Sequence, residues 1–286
     1  AGIPLNAPNR NYRDPFPKPE LICALSHFDA MVGFRQPSAI AGLLSRYCPQ
    51  SLRAQIIELA SGCPENAIRD FFQSLTALGP AEKEGVIKEA AHAARGIESP
   101  ESHWIKTLES TFPGDIGILG PLILNLVSLA PGQALFLQPG VLHAYMSGVG
   151  IEVMGNSDNV LRGGLTSKHI DIPELNRVLK FDPMVPELLF PEPTGPCERQ
   201  YRINVEQFAL SKIAVDAARA YDGPPIHSAE ILLCVHGGAQ VYSIDAFFSL
   251  EVSKGRALFM PAAAGRYRIR GSAEFYKAGV PLASLQ

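Results

Sequence analysis

The sequence lacks the features that mark several large classes of protein. Among 286 residues there are five cysteines, an odd number with no Cys-x-x-Cys pair, which argues against a thiolate zinc site. No apolar run approaches eighteen residues, and the first twenty are polar and proline-rich, so neither a membrane span nor a signal peptide is predicted. The net charge of −3 provides no field that would recruit nucleic acid or an anionic membrane.

Several motifs that carry chemistry are missing as well. There is no phosphate-cradling glycine motif, no nucleophile elbow and no basic stripe interleaved with aromatic residues. We therefore expect a cytoplasmic protein with buried free thiols, whose partner is a small molecule and not nucleic acid or a membrane. The chain opens on Ala1 within sequence typical of a loop, and we expect it to be the remainder of a longer protein.

The sequence does contain many turn-forming residues that separate short predicted strands. One stretch of predicted helices interrupts this β pattern. The 24 prolines and 25 glycines indicate many turns, as in a β architecture. Between about residues 37 and 112 apolar residues recur at helical spacing instead, which predicts about five helices. We predict a mainly β protein with a helical insertion, divided into a partial barrel at 1–36, the helical domain at 37–112, the barrel continued at 113–181, an irregular proline-rich linker at 182–199 and a second β domain at 200–286.

An internal repeat links the two β parts. The segment PGQALFLQPGVLHAY, from residue 131, aligns without a gap with KGRALFMPAAAGRYR, from residue 254. Gly132 matches Gly255, the apolar runs coincide, and His143 falls on Arg266. The repeat predicts two copies of one β-barrel unit, of which only the first kept the histidine.

The most informative segment is Gly132 to Lys168, in which charged residues are interleaved with apolar ones between glycine-containing turns. Such charges are expected to point into one cavity walled by strands. His143 follows a strand and a turn that would aim its imidazole into a barrel mouth, and imidazole is the commonest biological metal ligand. The alternative is a buried histidine satisfied by backbone, but the repeat and the surrounding charges favour a site.

Each of the other candidates has an ordinary alternative. Glu152 lies in the apolar context GVGIEVMG, where burying a carboxylate is costly without a cation nearby, so a site role is favoured. Arg162 and Lys168 flank a di-glycine turn and suit an anion such as phosphate, although a solvated loop has the same composition. An Asx turn explains Asp158 equally well, and an exposed loop is the better explanation of Glu20 from its context alone.

Together these segments resemble the type I phosphomannose isomerases. The resemblance is carried by AGIPLNAPNRNYRDPFPKPEL at the start and by the run from PLILNLVSLAPGQ to ELNRVLKF, and it weakens toward the end of the chain. It implies a cupin-type β-barrel core with one zinc ion per chain, an all-helical domain and a second, metal-free cupin-like domain. It also implies interconversion of mannose 6-phosphate and fructose 6-phosphate through an enediol.

The resemblance assigns roles to particular residues. Glu20 and His143 match zinc ligands of the family. The expected substrate-binding residues are Lys18, Tyr145, Arg162 and Lys168, and the expected catalytic residues are Glu152, Asp158, Arg162 and Lys168. The choice between Glu152 and Asp158 as the base stays open, as does the division of phosphate binding and oxyanion stabilisation between the two cations. Arg162 is expected to be the residue whose loss lowers catalysis most.

The chain departs from the family pattern in its metal ligands. The family's other two zinc ligands come from a Gln-x-His motif upstream of where this chain begins, and no Gln-x-His occurs here. Zinc sites normally need at least three protein ligands, so for these 286 residues alone we expect weak zinc retention and little isomerase activity. The absent N-terminal strands would leave barrel edges unpaired, which predicts poor solubility.

The alternative function is a non-catalytic, regulatory cupin that binds a sugar phosphate without a complete metal site. An iron-dependent cupin oxygenase is disfavoured, because it requires a second histidine near His143 and none is evident. We expect the chain to be monomeric.

Overall fold

A computed structural model describes residues 7, 10–61, 66–225, 228–244 and 248–282. Cys63 and His227 lie outside the described residues. Within the described parts the chain forms two β units, with a group of helices inserted into the first. None of the described helices is both long and apolar enough to cross a lipid bilayer.

The first β unit is built from six strands: β1 Glu20–Ala24, β2 Phe28–Phe34, β3 Leu124–Leu129, β4 Ala134–Leu137, β5 His143–Ser147 and β6 Gly150–Met154. They form two antiparallel sheets of three strands, with the orders β4–β1–β6 and β3–β2–β5. The two sheets share an apolar core that includes Ile22 and Leu135 from the first sheet and Val32 from the second. Side chains on these inner faces therefore meet inside the unit.

Between β2 and β3 the described residues form five longer helices: α1 Pro37–Tyr47, α2 Arg53–Ser61, α3 Ala67–Ala77, α4 Pro80–Gly96 and α5 Pro100–Thr111. A 3-10 turn at Ile116–Leu119 and the short helix α6 Gly120–Ile123 lead back to the sheet. Proline stands in the first turn of α1, α4 and α5, where its missing N–H would have had no helical partner. The apolar stripes of these helices pack on Phe34 at the end of β2. The helical insertion is thus anchored on the strand that carries part of the inner core.

After the first unit the chain forms helix α7 Ile172–Val178 and then the second β unit. Its strands are β7 Glu192–Pro193, β8 Glu198–Gln200, β9 Ala209–Val215, β10 Tyr221–Asp222, β11 Glu230–Ser243, β12 Ser249–Ser253, β13 Ala257–Met260 and β14 Tyr267–Gly279. Six of them run in the order β12–β11–β14–β9–β8–β7, while β10 pairs with β14 and β13 with β11.

The prediction that 182–199 is free of regular structure is wrong at its end. Strand β7 pairs with β8, so that Glu192 lies opposite Gln200 and Pro193 opposite Arg199. Proline cannot donate to a ladder, but β7 is the outermost strand of the sheet, where one face of the backbone needs no partner. The high density of proline is therefore compatible with a strand here, because that strand lies at the edge of the sheet.

The internal repeat extends from the sequence to the backbone. Gly132 and Gly255 stand in equivalent turns with φ values of +87° and +84°, and strands β4 and β13 cover the residues that the alignment matches. The equivalence slips after the next turn. Arg266, which the alignment places on His143, is exposed, and Tyr267 is the fully buried residue there. The sequence alignment was wrong by one residue at this point, because the second turn takes one more residue before its strand begins.

The two β units pack against each other through the outer face of β1. Leu21 and Cys23 on that face lie in a buried cluster with Tyr201, Phe208 and Tyr276 of the second unit. The Cys23 sulfur lies 2.9 Å from the Tyr201 hydroxyl oxygen, and that hydroxyl donates to the carbonyl oxygen of Gly132 at 2.8 Å. One face of β1 therefore packs against the second unit, and the opposite face points into the core of the first unit.

Candidate functional site

The centre of the candidate site is a carboxylate–imidazole pair held between the two sheets of the first unit. Glu20 is the first residue of β1 and His143 the first residue of β5, so each comes from a different sheet. Oε2 of Glu20 lies 3.5 Å from Nε2 of His143. Both side chains are largely buried, with exposed fractions of 14% and 25%.

The orientation of the imidazole is fixed by the turn before β5. Nδ1 of His143 lies 2.9 Å from the carbonyl oxygen of Val141. A carbonyl oxygen only accepts hydrogen bonds, so Nδ1 carries a proton and Nε2 is directed at Glu20. The same arrangement, with one ring nitrogen tied to a carbonyl and the other free, is typical of metal-binding histidines.

Lys18 adds a second positive charge to the pair, with its Nζ 3.2 Å from Oε1 of Glu20. Burial raises the pKa of the Glu20 carboxyl, but the hydrogen bond and charge of His143, followed by the charge of Lys18, outweigh it and bring that pKa well below its usual value. Burial lowers the pKa of His143, but Glu20 and the Val141 carbonyl oxygen more than compensate and raise it. Each member of the pair therefore stabilises the charged form of the other.

A second carboxylate lies next to the pair. Strand β6 runs beside β1 with Glu152 opposite Ile22, and its carboxylate accepts a hydrogen bond of 2.9 Å from the Tyr145 hydroxyl. Partial burial of the carboxyl raises the pKa of Glu152, the Tyr145 hydrogen bond opposes this rise, and the charge of Glu20 adds to it. Two neighbouring carboxyls are thus held in different states, one firmly ionised and one with greater affinity for a proton.

A cleft of about 660 Å³ opens beside the pair, a size suited to a small ligand. Lys18, Glu20, His143 and Arg162 are among the residues that line it. Arg162 is half-buried and makes no ion pair with any residue of the described chain. An unpaired guanidinium in a concave site is a strong candidate for binding an anion.

The remaining predicted site residues are not brought to this cleft. Asp158 and Lys168 are exposed and are absent from its lining, and Tyr145 and Glu152 reach the site from the side of Glu20 instead. The backbone N–H of Lys168 donates to the Thr166 hydroxyl, as in an ordinary polar turn. The roles predicted for Asp158 and Lys168 stay predictions.

Two residues that organise the rim of the cleft were not found from the sequence. Asp14 accepts hydrogen bonds from the Ser157 hydroxyl and the Asp158 backbone N–H, at 3.1 and 3.0 Å. Asn159 in return accepts from the backbone N–H of Arg13 at 2.8 Å and donates to the Asp14 carbonyl oxygen at 2.9 Å. This clamp joins two loops that are more than 140 positions apart in sequence. Single polar residues in loops carry no periodic signal that would have revealed it.

Glu20 and His143 have the spacing of two donors to one metal ion. Two ligands about 2.0–2.2 Å from a tetrahedral zinc ion are roughly 3.4 Å apart, and the Glu20–His143 separation of 3.5 Å agrees. No group of three or more His, Cys, Asp and Glu side chains suited to a metal occurs in the part of the chain that the structure describes. The pair is therefore a partial donor set.

Comparison with known proteins agrees with the fold. No protein-family model matches the chain. It is 40% identical to the mannose-6-phosphate isomerase of Salmonella typhimurium over 84% of its length, and 35% identical to that of Escherichia coli over 95%. A zinc-bound crystal structure of mannose 6-phosphate isomerase matches 98% of the chain with a TM-score of 0.88 and 35% identity. A Salmonella typhimurium structure bound to its substrate fructose 6-phosphate and to zinc matches with the same TM-score and 34% identity.

The fold and the site define the class of the protein: two β units with an inserted group of helices, and a carboxylate–imidazole pair at a cleft of ligand size. The family is shown by these identities: the chain belongs to the mannose-6-phosphate isomerases. It spans 60% of the length of the Salmonella relative and 68% of the Escherichia coli relative.

Proposed function

We propose that this chain carries the site of a zinc-dependent aldose–ketose isomerase that interconverts mannose 6-phosphate and fructose 6-phosphate through an enediol. The observation that supports it most is the Glu20–His143 pair at the edge of a cleft of ligand size. Relatives that share 34–35% identity over almost the whole chain were crystallised with zinc and with fructose 6-phosphate. A cupin-type barrel with the domain division given above, and a cytoplasmic monomer, belong to the same proposal.

Glu20 and His143 would hold the zinc ion, with the remaining donors supplied from outside the described residues. When bound, zinc polarises the sugar oxygens as a Lewis acid. The imidazole needs no rearrangement for this task, because its Nδ1 is already held by Val141.

The other side chains divide the work of proton transfer and anion binding. An enediol forms when a base takes the proton from the carbon next to the carbonyl, and the base works best with a pKa near the working pH. We assign this role to Glu152, because it lies next to Glu20 and its pKa is raised by partial burial and by the charge of Glu20. Arg162, unpaired in the cleft, and Lys18 would bind the phosphate or stabilise the negative oxygen of the intermediate.

The test combines Arg162→Ala with a matched surface control, Arg177→Ala, whose guanidinium is 78% exposed and bound to Glu174. In a preparation with isomerase activity we expect Arg162→Ala to lower kcat/KM by roughly 100-fold or more, the loss typical of removing one oxyanion-stabilising donor. Arg177→Ala should leave it unchanged. Equal activity in both variants would show that Arg162 has been assigned wrongly.

A second candidate function is supported by the partial donor set. In that case the chain binds a sugar phosphate without catalysis. Calorimetric titration of the 286-residue chain with fructose 6-phosphate, with and without zinc, separates the two. The non-catalytic function is supported if fructose 6-phosphate binds equally well with and without zinc, if Arg162→Ala abolishes this binding, and if no turnover is detected. Binding and turnover that both require zinc support the isomerase.

A further inference from the structure

The second β unit contains a glutamate in the same structural position as Glu20. Glu20 begins the central strand β1, opposite Leu137 of β4 on one side and Met154 of β6 on the other. Glu230 begins the central strand β11, opposite Met260 of β13 and Gly279 of β14. Met260 is also the residue that the internal repeat aligns with Leu137. A carboxylate thus stands at the same place in both units, although the strands around it differ in sequence.

A tyrosine replaces the histidine beside this glutamate. In the first unit Nε2 of His143 faces Glu20 at 3.5 Å. In the second unit the Tyr267 hydroxyl donates to Oε2 of Glu230 at 2.7 Å, and both residues are buried. A phenol that donates to a carboxylate meets the need of that oxygen without a metal ion.

A third equivalent position carries a carboxylate in the first unit and an ammonium group in the second. Glu152 lies on β6 opposite Ile22, two positions along β1 from Glu20. The matching place on β14 lies opposite Leu232, two positions along β11 from Glu230, and it is occupied by Lys277. Nζ of Lys277 lies 2.8 Å from Oε1 of Glu198 and 3.5 Å from Oε1 of Glu230.

The lysine is enclosed almost as fully as the glutamate. The Lys277 and Glu230 side chains are 11% and 7% exposed, and the Lys277 ammonium also donates to the Tyr221 hydroxyl at 2.9 Å. Burial alone would lower the pKa of Lys277, but Tyr221, Glu230 and Glu198 raise it, so the amine is charged. Two nearby carboxylates would otherwise have to be buried without a counter-charge, which is strongly unfavourable.

We propose that Lys277 is a built-in cation, whose ammonium supplies beside Glu230 the positive charge that a divalent cation supplies beside Glu20 in the first unit. The second unit then holds a cation site that is permanently filled, because its positive charge is covalently attached to the chain. The comparison with a metal rests on the proposed function, but the test below concerns the second unit alone.

The test first separates the charge of Lys277 from its packing. Lys277→Met keeps most of the stem and removes the ammonium, and Lys212→Met is the matched control, because Lys212 makes a more exposed pair with Glu274 on the same sheet. We expect Lys277→Met to lower Tm by roughly 6–15 °C, as for breaking a buried ion pair, and Lys212→Met by roughly 2 °C or less. Similar Tm values for the two variants would overturn the proposal.

The second step asks whether a free cation can replace the ammonium. Lys277→Ala and Lys212→Ala are compared in a His143→Ala background, so that the first unit contributes little metal binding. With Co²⁺ at about 100 times its Kd, Tm of the Lys277→Ala protein should rise by roughly 5 °C or more, and Tm of the Lys212→Ala protein should stay constant. Absence of a cobalt response in the Lys277→Ala protein contradicts the proposal.

A variant that fails to fold is also informative. Adding Glu230→Gln to Lys277→Met removes one buried carboxylate together with the ammonium, so folding should be recovered and no cobalt response should remain. If neither Co²⁺ nor Glu230→Gln restores folding, Lys277 acts by packing alone and the proposal is wrong. Neither result depends on isomerase activity, so the failure of this inference and the failure of the proposed function can be told apart.

Discussion

At the scale of single residues, the candidate site is organised by the partners of its side chains as much as by their identity. His143 is aimed by the Val141 carbonyl oxygen, Glu20 is held ionised by His143 and Lys18, and Glu152 is held by Tyr145. The sequence predicted these residue types but not their pairings, because hydrogen bonds between strands far apart in sequence leave no local pattern.

The pair at the centre predicts which residues zinc binding requires. Two donors hold zinc weakly, so dialysis of the 286-residue chain should leave less than one zinc ion per chain. His143→Ala should weaken the remaining binding by about tenfold or more, because it removes the only imidazole donor at this pair. His92→Ala, on helix α4, is the matched control and should bind zinc like the unaltered chain. Isothermal titration with ZnCl₂ measures both. A stoichiometric zinc content that survives dialysis would contradict the expectation.

The Asp14–Asn159 clamp leads to a prediction about ligand affinity. Asp14→Ala removes the acceptor of the Ser157 and Asp158 bonds, so the loop that leads to Arg162 is less well fixed. We expect the Kd for fructose 6-phosphate to rise by about 3- to 10-fold, the usual range for one lost hydrogen bond. Asn159→Ala should have a similar effect, and the double variant should be no worse than the more affected single variant, because both side chains hold the same two loops together. Additive losses would show that the two residues act separately.

At the scale of single elements, the two units can be compared turn by turn. Gly132 and Gly255 both have φ near +85°, and a Cβ at either position would meet no atom within 4 Å. Replacement by alanine is therefore opposed by backbone strain alone, which amounts to about 1–2 kcal/mol. Gly132→Ala and Gly255→Ala should lower the free energy of unfolding in urea by similar amounts. Gly96→Ala, in helix α4, is the control and should not lower it, because its φ is not positive and alanine favours a helix.

The helical insertion leads to a prediction about pH. The Glu89 carboxylate of α4 accepts hydrogen bonds from the backbone N–H groups of Gln50 and Ser51, just before α2 begins. Burial raises the pKa of Glu89, but the hydrogen bond with the Ser51 side chain, followed by these two backbone bonds, outweighs burial and lowers it. Because the pKa of Glu89 is lower in the folded than in the unfolded state, its carboxylate stabilises the fold fully above the unfolded-state pKa of about 4.3. This stabilisation is lost as the pH falls through the folded-state pKa.

Glu89→Gln should accordingly lower the free energy of unfolding by about 1 kcal/mol at pH 7. The difference should shrink below about pH 4, where the carboxyl of the unaltered chain becomes protonated. Urea unfolding at pH 7 and pH 3 measures both values. A difference that is equal at the two pH values would mean that the charge of Glu89 is irrelevant.

At the scale of the whole molecule, sequence patterns reached the architecture but not its internal register. The repeat around Gly132 and Gly255 predicted two related β units, and helical periodicity predicted the insertion. The placement of Tyr267 depends on one extra turn residue, which an ungapped alignment conceals. Glu230 and Lys277 were missed because their equivalence to Glu20 and Glu152 exists only in strand pairing. Residue spacing along the chain therefore predicted the helices and strands. The site residues are brought together by strand pairing, which that spacing does not reveal.

The contact between the units should be visible in exchange experiments. Tyr201→Phe removes the hydroxyl that bonds to the Gly132 carbonyl oxygen and lies next to the Cys23 sulfur. We expect faster hydrogen–deuterium exchange of the β1 amides, because their outer face loses part of its packing. Strand β12, at the far edge of the second sheet, is the internal control and should exchange at an unchanged rate. Equal rates in β1 before and after the substitution would contradict this.

The two-sided use of β1 has a consequence for genetics. Neighbouring residues on this strand point in opposite directions, so that Glu20 faces the cleft and Leu21 faces the second unit. A strand five residues long has little capacity to absorb a shift on one face without moving the other. In a screen for inactive alleles, substitutions at Tyr201, Phe208 and Tyr276 should therefore be recovered alongside those at the cleft, although none of the three lines it.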